Sequence, residues 1–223
     1  MFHPSDRWRE EFLALKTFMR RAFQVVAYNG IDGDYVEFGC CGGRTFTLAW
    51  RAAHLVGYPT HLWAFDSFQG LPATNDPRDD HPGWVQGAMR MTEGSFRELC
   101  AARGIPSQGF TTVAGFYTDS LAPEAEGPRP DRISVAYVDC DLYTSTTQVL
   151  EFLNPRLRHG MVLAFDDYYC FGPSTPSGER LATAEFFGAS ERWQLLPYLQ
   201  FGWYGMSFIV EDKASGPSGV VGW

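Results

Sequence analysis

The chain has 223 residues, and its 18 lysines and arginines against 26 aspartates and glutamates give a formal net charge of −8 at pH 7. This acidic balance excludes a nucleic-acid-binding protein of the usual basic kind, because such proteins obtain much of their affinity by neutralising phosphates. Hydrophobic residues make up 45% of the chain and aromatic residues 16%. Intrinsic disorder is therefore excluded for the bulk of the chain, and one α/β domain with a substantial core is expected.

The cysteines and the N-terminal segment predict a cytoplasmic protein. Five cysteines are an odd number, and they lack the spacing of a disulfide framework or of a zinc site, so free thiols are expected. Charged residues interrupt the N-terminal segment, which argues against a signal peptide, and no apolar run has the length of a membrane span. We therefore expect neither a membrane nor a nucleic acid as a partner.

Apolar residues near the N-terminus recur at intervals of three and four positions, which predicts an amphipathic helix that covers one face of a sheet. They are Phe12, Leu15, Met19, Ala22, Phe23 and Val26. We assign residues 1–32 to an N-terminal helical cap, whose helix could also pack between the subunits of a homo-oligomer. Residues 214–223, rich in glycine and serine, are assigned to a flexible tail.

Short runs rich in strand-forming residues predict a mostly parallel sheet within a single domain, residues 1–213. Enough residues separate the first five runs to form crossover helices, which is typical of parallel βαβ units. The last two runs are joined by only four residues, so they predict a hairpin that adds an antiparallel strand at the edge of the sheet. The runs lie at positions 35–38, 61–65, 111–113, 133–138, 161–165, 193–199 and 204–210.

A glycine-rich turn follows the first predicted strand and leads into a helix-forming segment. Its glycines, among them Gly39 and Gly43, let the backbone approach a ligand closely. The next strand ends at Asp66, about 20 residues further on, where nucleotide-binding folds place an acidic residue on ribose hydroxyls. The turn alone would also fit a structural loop, but the turn together with Asp66 indicates a nucleotide-type cofactor.

The details of this turn favour S-adenosylmethionine over a dinucleotide. The pattern G-x-G-x-x-G is incomplete, because Arg44 or Thr45 occupies the third glycine position. Glu37 precedes the turn, and its carboxylate would repel a pyrophosphate but suits a cationic ligand.

Four aspartates follow two consecutive strands. Asp139 and Asp141 come after the strand at 133–138, and Asp166 and Asp167 come directly after the next one. If the two strands are parallel neighbours about 4.8 Å apart, the four carboxylates converge at the edge where open α/β sheets bind ligands. Such a cluster either has raised pKa values or holds a divalent cation, Mg²⁺ or else Ca²⁺ or Mn²⁺.

Two features of this cluster stay open at the level of sequence. Asp141 could instead cap the helix that begins near Thr144 while Asp167 faces solvent, which would leave only two acids in the site. Adjacent residues of an extended strand point to opposite faces, so Asp166 and Asp167 reach one ion only if the strand breaks there.

Four segments of the chain carry a resemblance to a known family. They are Gly33–Gly39, Ala64–Pro72, Val138–Thr146 and Phe165–Tyr168. In this order and separation they resemble the macrocin O-methyltransferase-like group of S-adenosylmethionine-dependent sugar methyltransferases, which act in natural-product biosynthesis. The resemblance implies a single-domain class I methyltransferase fold, Rossmann-like, with a seven-stranded sheet. It also implies a hydroxyl of a sugar or similar small polar metabolite as the methyl acceptor.

The resemblance and the motifs together define a predicted site. The cofactor residues are Glu37, Gly39, Gly43, Thr45, Asp66, Ser67, Phe68 and Phe116. The Mg²⁺ ligands are Asp139, Asp141, Asp166 and Asp167, with Asp139 or Asp141 also serving as the base that accepts the proton of the hydroxyl. Phe116 and Tyr117 are candidates to contact the adenine, although packing in the core would explain them equally well.

The polar segment 71–95 is long for a connection within a compact domain, and loops of this kind are often lids. We expect it to lie over the cofactor, with His81 or Trp84 gating the substrate, unless it is merely a solvated insertion.

Three other functions compete with a methyltransferase. An NAD-dependent oxidoreductase would share the glycine turn and Asp66 but would not explain the aspartates. A metal-dependent phosphohydrolase would use the aspartates without needing the turn, and a non-catalytic nucleotide-binding module would hold a cofactor without turnover.

Overall fold

The computed structural model describes residues 4–215, and within that range no helix has the length and apolar character needed to cross a membrane. Seven strands form one sheet in the order β3-β2-β1-β4-β5-β7-β6. Their bounds are β1 Asp34–Phe38, β2 Leu62–Asp66, β3 Phe110–Ala114, β4 Ile133–Val138, β5 Val162–Phe165, β6 Trp193–Phe201 and β7 Gly205–Asp212. All seven predicted strands are thus present.

Strands β1 to β5 pair in parallel, while β7 runs antiparallel to both β5 and β6. The antiparallel C-terminal strand is therefore confirmed, although it lies one position in from the edge, which β6 forms. Pro197 explains this arrangement, because a proline in β6 cannot donate a ladder hydrogen bond and is best placed in an edge strand. The register of the hairpin shifts between Pro197 and Leu199.

Within residues 4–215, six α-helices flank the sheet. They are α1 Pro4–Tyr28, α2 Arg44–Val56, α3 Glu93–Ala102, α4 Tyr117–Ser120, α5 Tyr143–Leu153 and α6 Gly178–Ala189. The predicted stripe of α1 is buried apart from Phe12, which is 39% exposed, and α1 packs against α2. Of the predicted tail, 214–223, only the first two residues lie within the described part of the chain.

The core has two layers because strand side chains alternate between the faces of the sheet. Tyr35 and Tyr137 point into the layer beneath α1 and α2, whereas Val36 and Phe38 point into the layer beneath α5 and α6. Strand order reverses between β1 and β4, the place where open α/β sheets bind ligands at the carboxyl ends of their strands. The glycine turn and the aspartates both follow strands at this point.

Candidate active site

A cavity of about 1540 Å³ lies over the carboxyl ends of the central strands. Pockets for small ligands usually measure about 300–1,000 Å³, so this one has room for more than one small molecule. Eight of the residues predicted or considered for the site line it, namely Gly39, Thr45, Asp66, Ser67, Phe116, Tyr117, Asp139 and Asp141, whereas Asp166 and Asp167 are not among its lining residues.

The glycine turn brings the end of β1 against the end of β4. Gly39 has a φ of +88°, and a Cβ atom there would lie 1.7 Å from the carbonyl oxygen of Asp139. Gly43 has a φ of +53° and precedes the first residue of α2. Glycine is thus required at both positions, since L-residues rarely adopt this conformation, and at Gly39 a side chain has no space.

Glu37 lies behind the wall of the cavity and does not line it. Its side chain points to the same face of β1 as Tyr35, is fully buried, and accepts hydrogen bonds from the Tyr35 hydroxyl and from the Thr45 hydroxyl at 2.6 Å. Burial raises the pKa of Glu37 to about 8, so the carboxyl is mostly neutral at pH 7. The predicted contact of a charged Glu37 with a cationic ligand is therefore wrong for this structure. Glu37 instead accepts a hydrogen bond from Thr45, which lines the cavity.

Asp66 is held at the cavity by the backbone. Its two carboxylate oxygens accept the amide hydrogens of Cys40 and Phe68, each at 2.6 Å. Burial raises the pKa of Asp66 even though both hydrogen bonds act in the opposite direction. Each carboxylate oxygen keeps further lone pairs, which suits it to accept hydrogen bonds from a diol.

The two residues that follow Asp66 have different roles. Ser67 lines the cavity and donates its hydroxyl to the Gly70 carbonyl at 2.9 Å, which closes the turn. Phe68 has a φ of +54° and contributes its backbone amide, while its ring is buried 5.7 Å from that of Phe96. The ring of Phe68 is thus a core residue, contrary to a direct cofactor contact.

Contact with the adenine and packing in the core were the two alternatives for Phe116 and Tyr117. The half-buried ring of Phe116 lines the cavity. The hydroxyl of Tyr117 donates to the carbonyl of Phe65 at 3.2 Å, and its ring packs edge-on against Phe38 at 6.1 Å. Tyr117 also lines the cavity, so both residues border it, but Tyr117 is held by its contacts with Phe65 and Phe38, which leaves Phe116 the better placed to contact the adenine.

Three of the four aspartates converge. Carboxylate oxygens of Asp139, Asp166 and Asp167 all lie within 4.8 Å of one another. This is possible because β5 ends at Phe165 and the next residues form a turn, so the side chains of Asp166 and Asp167 no longer point to opposite faces. Among the described residues, no lysine or arginine forms an ion pair with these three half-buried carboxylates, and such a donor set fits a hard divalent cation such as Mg²⁺.

Asp141 stands beside this triad and not within it. It is 4% exposed and has a φ of +59°. Burial and the neighbouring Asp167 raise the pKa of Asp141 well above its usual range, and Trp84 acts in the opposite direction. It does not cap α5, because the Thr144 amide and hydroxyl donate instead to Asp79, at 3.0 Å and 2.8 Å. The helix-capping alternative for Asp141 was therefore wrong, and Asp167 is half-buried.

The carboxylates of the cluster repel one another, and this repulsion adds to the effect of burial on their pKa values. Burial and repulsion from Asp167 raise the pKa of Asp166 to about 7, and burial and Asp166 raise the pKa of Asp139 well above its usual range. The positive groups that oppose these shifts are Arg44, toward Asp166, and His81, toward Asp167. A divalent cation would remove the repulsion that the carboxylates now relieve by binding protons.

Three residues of the site were missed by the sequence analysis. The Tyr137 hydroxyl donates to Asp166, and the fully buried Glu179 accepts the amides of Cys140 and Asp167. Asp79 is the third, through its contacts with Thr144. Strand alternation could have indicated Tyr137, which stands two residues before Asp139, whereas Asp79 and Glu179 reach the site from segments with no periodic pattern.

The predicted loop, 71–95, ends at residue 92 because α3 begins at Glu93, and its first residues line the cavity. The loop is attached to α5. The Arg78 guanidinium lies 4.0 Å from the ring centroid of Tyr143 and donates to its hydroxyl at 2.8 Å. Further along, the rings of His81 and Trp84 lie 4.4 Å apart, close to Asp141. Substrate gating by this loop remains a prediction.

All five cysteines are unpaired, as predicted. Cys40, Cys100 and Cys140 are buried, whereas Cys41 is exposed and lines the cavity.

The chain is similar in sequence to known O-methyltransferases. The 4'-O-methyltransferase of Streptomyces olivaceus that acts on 8-demethyl-8-(2,3-dimethoxy-alpha-L-rhamnosyl)-tetracenomycin-C is 30% identical over 156 residues, which are 65% of this chain and 56% of that protein. Demethyldecarbamoylnovobiocin O-methyltransferase of Streptomyces niveus is 29% identical over 164 residues, or 70% of this chain and 60% of that protein. The chain therefore spans less than two thirds of either relative.

The fold is also that of solved methyltransferases. The structure of the O-methyltransferase NovP superposes with a TM-score of 0.69 at 22% identity, over 88% of this chain and 79% of that one. The family model described as macrocin-O-methyltransferase (TylF) matches residues 15–185, which include the glycine turn, Asp66, the aspartates and Glu179. The chain thus belongs to the macrocin-O-methyltransferase (TylF) family.

Proposed function

We propose that this protein is an S-adenosylmethionine-dependent O-methyltransferase that transfers a methyl group to a hydroxyl of a sugar or similar small polar metabolite, with Mg²⁺ bound at the aspartate triad. One observation carries the proposal. One cavity is lined both by the glycine turn with Asp66 and by Asp139 and Asp141, and Gly39 of the turn lies directly against the backbone of Asp139. A donor site and an acceptor site then lie along one cavity, as transfer between two bound molecules requires.

The names of the relatives support the acceptor class. The Streptomyces olivaceus enzyme is named for methylation on a rhamnosyl group, and the Streptomyces niveus enzyme for methylation of a demethyldecarbamoylnovobiocin. By analogy we assign this chain to the modification of a glycoside or sugar in natural-product biosynthesis.

The cofactor residues act by holding the donor in place. Asp66 accepts hydrogen bonds from the ribose hydroxyls through the lone pairs that Cys40 and Phe68 leave unused. Phe116 covers the adenine. S-Adenosylmethionine supplies an electrophilic methyl group on a sulfonium, so most of the protein's contribution is alignment with the attacking oxygen.

The aspartates act on the acceptor. Asp139, Asp166 and Asp167 would hold the divalent cation, which supplies chelation of the hydroxyl and lowers its pKa. Asp141 lies outside the triad and is the better placed of the two candidate bases. As the O–C bond forms and the C–S bond breaks, Asp141 takes the hydroxyl proton, and S-adenosylhomocysteine leaves.

The proposal is tested with purified protein, labelled S-adenosylmethionine and a panel of sugars, nucleotide sugars, glycosides and catechols, each with Mg²⁺ or EDTA. We expect transfer to a hydroxyl acceptor with Mg²⁺ only. Calorimetric titration with S-adenosylhomocysteine and with NAD accompanies the screen. Binding of NAD alone would favour an oxidoreductase, and binding of S-adenosylhomocysteine without turnover on any acceptor would favour a binding module.

A further inference from the structure

Glu179 is a buried carboxylate that the proposed chemistry does not use. It is the second residue of α6, and its side chain is fully buried. The helix begins directly over the site because Gly178, with a φ of +60°, fits where a Cβ atom would lie 2.5 Å from the Trp84 ring and 2.9 Å from the Asp141 carbonyl oxygen. The start of α6 is thus packed directly onto the aspartate loops.

The two oxygens of Glu179 bind two different loops. Oε1 accepts the amide of Cys140 at 3.2 Å, and Oε2 accepts the amide of Asp167 at 2.8 Å. Cys140 lies between Asp139 and Asp141 in the loop after β4, and Asp167 belongs to the turn after β5. One side chain therefore links the two segments that supply the carboxylate triad.

A carboxylate suits this link better than any neutral side chain of the same size. It offers acceptors on both oxygens, whereas a glutamine has one acceptor oxygen and would turn an N–H group toward one of the amides. Burial and repulsion from Asp167 raise the pKa of Glu179, and a cation bound nearby would oppose that repulsion.

We propose that Glu179 is a positioning residue that clamps the loops after β4 and β5, so that the affinity of the aspartate triad for a divalent cation depends on it. The proposal rests on the metal site of the proposed function. It predicts that loss of one of the two hydrogen bonds weakens metal binding by about 10- to 100-fold, the range found when groups that orient metal ligands are changed.

The test compares Glu179→Gln with Glu185→Gln. Glu185 lies on the same helix and accepts the Tyr143 hydroxyl at 2.6 Å. Within the part of the chain that the structure describes, it forms no hydrogen bond with the aspartate loops, so the same chemical change there serves as a matched control. Mn²⁺ binding is followed by the electron paramagnetic resonance signal of the free ion, S-adenosylhomocysteine binding by calorimetry, and folding by circular dichroism and thermal denaturation.

We expect the Mn²⁺ dissociation constant to rise at least about tenfold in Glu179→Gln and to stay within about twofold of the parent in Glu185→Gln. The affinity for S-adenosylhomocysteine should be unchanged in both. A Glu179→Gln protein that is less stable but binds Mn²⁺ like the parent would overturn the proposal and leave the metal site intact.

If the parent itself binds no Mn²⁺, the metal site of the proposed function and this inference both fail. Should Glu179→Gln not fold, Glu179→Asp replaces it. This variant keeps the charge but is too short to reach both amides, so weakened Mn²⁺ binding supports the clamp and parent-like binding overturns it.

Discussion

The two halves of the cavity are built in different ways. On the cofactor side, Asp66 has both oxygens bonded to backbone amides, and the glycine turn leaves the chain close to the ligand. On the aspartate side, Asp139 lines the cavity and lies beside Asp166 and Asp167, and burial together with repulsion among these carboxylates raises the pKa values of Asp139 and Asp166. The first half is complete by itself, whereas the second calls for an external cation. Metal removal should therefore disable one half and spare the other.

The largest effect is expected from Asp166→Asn, which removes a charged oxygen and nearly keeps the volume of the side chain. We expect turnover with Mg²⁺ to fall by at least about 1,000-fold, because metal activation of an oxygen contributes several kcal/mol. S-Adenosylhomocysteine binding, measured by calorimetry, should change little. EDTA added to the parent should have the same pair of effects.

Asp119→Asn, at the short helix α4, serves as the control and should keep full activity. Full turnover of Asp166→Asn in metal-free buffer would instead leave Asp139 or Asp141 as an unaided base. In EDTA, Asp166→Asn should be slightly more stable than the parent, since one like charge is gone from the cluster.

A second experiment concerns the dependence of stability on pH in the absence of metal. The pKa of Glu37 in the folded protein is about 8, against a usual value of 4.5. Between these values the unfolded chain loses its proton and the folded chain keeps it, so stability falls as the pH rises. The contribution of Glu37 to the free energy of unfolding should drop by up to about 3 kcal/mol between pH 5 and 7.5.

Glu37→Gln stays neutral, and since both of its partners are hydroxyls, its oxygen can accept from one while its N–H₂ group donates to the other. The stability of this variant should depend less on pH than that of the parent. Urea unfolding in EDTA at the two pH values measures the difference, and Glu151→Gln, an exposed substitution on α5, is the control. Parallel profiles for the parent and Glu37→Gln would contradict a raised pKa at this carboxyl.

Asp66→Ala tests the cofactor side of the cavity, which needs no metal. Loss of the charged acceptor should weaken S-adenosylhomocysteine binding by about 1.5 to 3 kcal/mol, the range for hydrogen bonds to charged groups. Asp66→Asn keeps one acceptor oxygen and should lose less. Unchanged affinity in Asp66→Ala, measured by calorimetry with and without Mg²⁺, would refute its contact with the ribose.

The smallest expected effect is at Asp79, which joins the loop bordering the cavity to the start of α5. Asp79→Ala removes the acceptor for the Thr144 amide and should lower the free energy of unfolding by about 0.5 to 2 kcal/mol, as for other lost helix caps. Asp79→Asn keeps an acceptor and should lose less. Equal stabilities of the parent and Asp79→Ala in urea unfolding would show that the cap contributes nothing.

Much of the sheet was predictable because burial on both faces leaves a simple pattern. Strands β4 and β5 are apolar at almost every position, and the acids follow directly where each strand ends. The approach of the loop after β4 to the turn after β5 then follows from strand adjacency, whereas the convergence of both Asp166 and Asp167 on Asp139 also requires that turn. Pro197 likewise indicates that β6 is the edge strand. The antiparallel strand, predicted at the edge, is β7, which lies one position further in.

The remainder depends on contacts that no local pattern encodes. The face to which Glu37 points could have been deduced from its spacing to Tyr35, but its neutral state depends on complete burial. Asp79 reaches α5 from an irregular loop, and Glu179 reaches two loops from the start of α6. Such contacts are decided by how loops pack after the sheet has formed.

The exposed thiol of Cys41 makes the cavity accessible to chemical labelling. Burial raises its pKa, so modification is best carried out above neutral pH. Because Cys41 lines the cavity beside the glycine turn while Cys40 is buried, a fluorescent maleimide attached there would report from inside the cofactor half. A bound ligand would shield this thiol, so its rate of alkylation provides an optical measure of cofactor occupancy without any introduced cysteine.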